Sequence, residues 1–131
     1  MSEEPKLDVE KQVVHWRDSA LENWKDVEHN INGERIAFAM FATHLVIEKA
    51  LKAHVVKNTK KLPPLIHNLL SLASLAGLDL TSEQLKLFAL LNPLNIEARY
   101  LGNLSKLPTM KQAQAIIKRA KAALEWLIDE L

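Results

Sequence analysis

The stretch IAFAMFATHLVIEKALKAHVV, residues 36–56, decides the fold. It holds neither proline nor glycine, and its apolar side chains recur at helical rather than alternating spacing. Ala37, Phe41, His44, Glu48, Leu51 and Val55 follow one another at intervals of three or four, so they share one face of an α-helix. Most of that face is apolar, yet His44 and Glu48 sit one turn apart within it, and Lys52 follows one turn later. A buried polar group without a partner is destabilising. The pattern therefore predicts a polar partner on a facing element.

Upstream, Asp8 is placed to cap a first helix running to about residue 31, with Val13, Trp16, Ala20, Trp24, Val27 and Ile31 as its stripe and Leu21 beside it. Two tryptophans on one stripe read as core or subunit contact rather than a ligand cage. A polar turn over 29–33 ends this helix, with Gly33 expected in the left-handed conformation. Downstream, Pro63-Pro64 break the chain after a basic turn containing Lys57, Lys60 and Lys61. A short leucine-rich helix is expected over 65–76, closed by Gly77. Thr81 with Gln84, and Thr109 with Gln112, have capping-box spacing and open two more helices. The first should end near residue 91, where Asn92-Pro93 interrupts it and 94–100 form irregular turns. The second should run to about 130 on a stripe of Ala113, Ile116, Ile117, Ala120, Leu124, Leu127 and Leu131, with Lys111, Lys118 and Lys121 facing outward. The expected fold is all-α: an antiparallel, up-and-down four-helix bundle with one additional short helix or helical turn. Residues 1–131 form one domain, of which 1–7 should be a flexible tail.

Composition narrows the function classes. Seventeen Lys plus Arg balance sixteen Asp plus Glu, leaving a net charge of +1, too little for a strong global pull toward nucleic acid or anionic lipid. Absence of cysteine excludes disulfides, thiolate catalysis and cysteine metal sites. No apolar run reaches the length of a membrane span and the amino terminus is unlike a signal peptide, so the expectation is a cytoplasmic protein with no membrane partner. Five histidines are scattered without metal-ligand spacing, and no glycine-rich phosphate loop or nucleophile elbow surrounds Ser71 or Ser74. Neither a metal nor a cofactor is expected.

The remaining chemistry gathers on His44, Glu48 and Lys52 together with residues 95–100. Arg99 has the planar donor fork to pair with Glu48; Lys52 and His44 are alternative partners. One reading makes His44, Glu48, Arg99 and Tyr100 a structural polar network, with the Tyr100 ring at the bundle edge. The other puts Arg99 and Lys52 at the rim of a groove that takes a phosphate or nucleotide. His67, just after the double proline, either caps the turn or joins that contact.

Phe41, His44 and the run Glu48-Lys49-Ala50-Leu51-Lys52-Ala53, then Pro64 and His67-Asn68-Leu69, then Glu97-Ala98-Arg99-Tyr100 together resemble the HEPN domain, the "higher eukaryotes and prokaryotes nucleotide-binding" family. The resemblance implies a compact helical bundle, usually dimeric, often encoded beside a small nucleotidyltransferase as the toxin half of a toxin–antitoxin pair. Active members are metal-independent endoribonucleases that use an arginine followed, after four to six intervening residues, by a histidine. Arg99 matches the arginine, but Leu104, Ser105 and Lys106 occupy the histidine's places, and no histidine follows His67. Arginine alone is a poor proton acceptor, whereas histidine titrates near neutrality. The resemblance thus implies a non-catalytic protein that homodimerises and binds a partner such as a nucleotidyltransferase. Nucleotide or RNA phosphate would meet Arg99, Lys52 and His67. An endoribonuclease toxin with a degenerate motif is the alternative.

Overall fold

The computed structural model describes residues 6–97 and 107–131, all of them helix, turn or irregular connection. Five helices follow in order: α1 (Val9–Asn32), α2 (Ile36–Thr59), α3 (Leu69–Leu75), α4 (Ser82–Glu97) and α5 (Met110–Asp129). Four are long and α3 is short, which is the all-α bundle plus a minor helix that the periodicity predicts.

Side-chain caps set several of the boundaries. The Asp8 carboxylate accepts from the Lys11 amide at 3.0 Å and starts α1. Thr81 and Gln84, like Thr109 and Gln112, exchange reciprocal side-chain and backbone bonds at the starts of α4 and α5. Lys57 donates to the backbone carbonyls of Glu130 and Leu131, closing the far end of α5.

Helix α2 is the axis of the bundle. Met40, Val46, Ile47, Leu51 and Val56 are fully buried, and α1, α3, α4 and α5 all pack on it. Lys49 reaches back to Ser19 and Asn23 on α1, so these two helices form an antiparallel hairpin. Against α5 the direction is reversed: His54 meets Leu127, and Lys57, three residues on, meets Glu130 and Leu131. The two helices run parallel there, as the second and last helices of an up-and-down bundle must. Leu69 and Leu72 of α3, Phe88 and Leu91 of α4 and Leu127 of α5 complete the core.

Three local expectations are corrected. Helix α3 starts at Leu69 rather than 65, because the Asn68 side chain accepts from the amides of Leu70 and Ser71 and fixes the helix start there. Leu65, left outside, is 95% exposed. Helix α4 does not end near residue 91 but continues through Pro93 to Glu97. Proline removes the bond to the carbonyl four residues earlier, that of Ala89, and both residues are exposed, where water can replace it. Asn92 then ties α4 to α3 by accepting from the Leu69 amide and donating to Asn68. Finally, Gly33 has φ −84, and the left-handed residue between α1 and α2 is Glu34, with φ 60. The Arg35 amide reaches the Asn30 carbonyl at 2.8 Å across that turn. Arg99 and Tyr100 lie outside the described residues, as does most of the 1–7 tail.

A non-glycine residue at positive φ strains the turn. Glu34→Gly should therefore stabilise the chain by about 0.5–1 kcal/mol. Urea unfolding checks this as a raised midpoint at unchanged slope; an unchanged or lower midpoint would contradict the assignment of strain.

Candidate functional site: a buried carboxylate and a surface histidine

Glu48 is buried on α2, on the side where the chain approaches α3. There both its oxygens are engaged. Oε1 lies 3.0 Å from His67 Nδ1 and Oε2 accepts from Lys52 Nζ at 3.1 Å. An ionised carboxylate only accepts, so His67 carries its proton on Nδ1 and leaves Nε2 for water or a ligand. Glu48 and Lys52 are buried, whereas the His67 side chain is 51% exposed. A fixed acid in the wall thus orients an imidazole at the surface.

Lys52 is also held from the other side, its Nζ 5.5 Å from the centre of the Trp16 ring. This cation–π contact joins α1 to the cluster. His44 lies beneath it, buried, with Nδ1 3.7 Å from Glu48 Oε1. That exceeds hydrogen-bond range, and among the described residues neither ring nitrogen has a well-formed hydrogen bond, although the Asn92 side chain and the His67 backbone lie near enough to favour the charged ring. Desolvation holds the His44 imidazole below its ordinary value of 6.5, against the opposing pull of Glu48. Burial also lowers His54, despite a 2.7 Å bond from its Nε2 to the Leu127 carbonyl.

Of the residues that the sequence singles out, His44, Glu48, Lys52 and His67 meet at one place. Glu48 takes Lys52 and His67 as partners, while Arg99 and Tyr100 fall outside the described residues. The His67 contact was not foreseen, although the one signal for it was present: a histidine just past the double proline, beside the capping Asn68. Among the described residues, no group of three or more His, Asp or Glu side chains is arranged to hold a metal ion. Nor is any helix there long and apolar enough to cross a membrane.

An all-helical bundle whose central helix presents a buried carboxylate to a surface histidine is the class of protein that fold and site define. The model of the HEPN domain matches residues 13–131, nearly the whole chain. The chain belongs to the HEPN domain family. Neither a curated protein nor a solved structure matches it.

Two outcomes follow from this geometry. Glu48→Ala strands a buried ammonium and should cost about 3–5 kcal/mol. His67→Ala leaves Glu48 paired with Lys52 and should cost only about 1 kcal/mol; denaturant unfolding of the two variants ranks them, and equal losses would overturn the ordering. For the pH dependence, both buried histidines have folded pKa values below the unfolded 6.5, so the unfolded chain binds more protons. Their contribution is fully present above 6.5 and falls as pH drops below it toward the folded values. Unfolding free energy should therefore be lower at pH 5.5 than at 7.5. His44→Leu should flatten part of that slope.

Proposed function

We propose that this chain is a non-catalytic HEPN protein that acts through homodimerisation and partner binding, in a cytoplasmic toxin–antitoxin-like system with a nucleotidyltransferase as the partner. The observation that carries this reading is the surface beside the Glu48–His67 pair. Leu65, two residues before His67, is 95% exposed, and Leu62 in the same connection is 61% exposed. Exposed apolar side chains around fixed polar groups are the composition of a binding surface. Family membership supports the reading, and so does the lack of any histidine after Arg99, which removes the proton-transfer half of the ribonuclease motif.

A nucleotide or RNA phosphate is the small ligand that this edge suits. His67 and Arg99 would touch it. Lys52, whose ammonium is buried against Glu48, would neutralise the carboxylate behind His67 rather than touch the ligand. Sedimentation across a concentration series tests the protein-binding half: the expected result is a dimer, and a monomer at every concentration would reject it. Titration with nucleotides and short single-stranded RNA at two ionic strengths tests the ligand half. Saturable binding that weakens with salt and on Arg99→Ala is expected; no saturation at low salt rejects it.

One observation favours the alternative, a surviving endoribonuclease. A carboxylate-backed imidazole is a general base in form, able to take the proton of an RNA 2′-hydroxyl as that oxygen attacks the adjacent phosphorus and the 5′ oxygen leaves. Metal-free cleavage that disappears in His67→Ala while the fold persists would establish that alternative. The expected outcome is no cleavage above background.

A further inference from the structure

The turn between α1 and α2 carries several residues that are poor choices for the turn itself. Glu34 sits at φ 60, where glycine would be unstrained. Arg35 is the residue that caps α2, and among the described residues its side chain makes no capping bond. An arginine there also places positive charge on the positive end of the helix dipole. Ser, Asp or Asn would serve better. Three residues further on, Phe38 exposes nearly half of its surface.

Arg35 and Phe38 border one cleft of about 320 Å³, lined also by Asp26 and Asn30 of α1 and by Phe41 and Leu45 of α2. Asp26 and Arg35 line the same cleft but do not pair with each other; Asp26 accepts from the Asn23 amide at 2.8 Å, and Arg35 has no ion pair among the described residues. The face therefore offers one acid, one base and an exposed aromatic, and among the described residues neither charge has an ion-pair partner.

Two-fold contacts join identical patches, so each patch must complement itself. A patch of a single sign would repel its copy, while one that holds both an acid and a base beside an exposed apolar side chain can attract it. We propose that this end of the α1–α2 hairpin is the contact face between two copies of the chain, with Phe38 at its centre and Asp26 of each copy paired with Arg35 of the other. The proposal rests on the dimeric reading above and assigns that dimer its surface. It gives the exposed aromatic a cover and the uncapped arginine a partner.

Charge reversal tests it on the full chain by sedimentation. Arg35→Asp and Asp26→Arg each set like charges against each other twice per dimer, and each should weaken dimerisation at least tenfold. The double variant restores opposite charges and should return to within about threefold of wild type. Arg35→Asp also places an acid at the α2 start, which favours the helix, so its loss of dimer cannot be ascribed to unfolding; unchanged circular dichroism checks this for all variants. Phe38→Glu should leave only monomer. If wild type dimerises and the single reversals do not weaken it, or the double fails to recover, this face is overturned while the dimer stands. If wild type is monomeric throughout, the face and the dimeric reading both fall.

Discussion

Everything in this molecule depends on a carboxylate placed inside its central helix. Helix α2 is enclosed by the other four, so an acid within it is tolerated only if its charge is balanced at short range. Glu48 meets that demand with two partners of different kinds. Lys52 comes from the same helix and is itself buried under Trp16. His67 comes from the irregular approach to α3 and stays half in water. The requirement therefore draws α1, α2 and the α3 approach onto one spot and brings an ordered imidazole to the surface.

The bundle was legible because its signals are local. Asp8, Thr81 and Thr109 announce helix starts by side-chain chemistry that operates within one turn, and all three operate as read. The failures have the opposite character. Pro93 is a helix breaker by its own chemistry, yet α4 carries it on an exposed side while Asn92 fastens the neighbouring turn to α3. Gly33 was the natural left-handed residue, but the turn closes one residue later on Glu34. Each outcome depends on what the surrounding chain packs against, which a window of sequence does not contain. The candidate site divides along the same line: the need for a partner at Glu48 follows from helical spacing, whereas His67's identity as that partner depends on how the double proline steers the chain.

Family membership fits this division. The run from Glu48 to Ala53 and the His67-Asn68-Leu69 segment are separate short motifs in sequence, and the Glu48–His67 bond makes them one physical unit. A resemblance built on such segments therefore reports a packing solution as much as an activity. This chain holds the acid, the lysine and the docked imidazole together as that unit.

Where a sequence departs from what its own backbone prefers, the departure has to be offset by something outside the element that carries it. Asn92 and Pro93 break a local rule beside a contact inside the chain, and Asn92 bonds to α3 there. Glu34, Arg35 and Phe38 break three rules within five residues, and among the described residues no hydrogen bond or ion pair of an Arg35 or Glu34 side chain offsets them. The same reasoning that accounts for Pro93 from within, applied to the hairpin end, leads out of the chain to a second surface. A self-complementary face, unlike a groove of one charge, identifies the simplest such surface as another copy of itself.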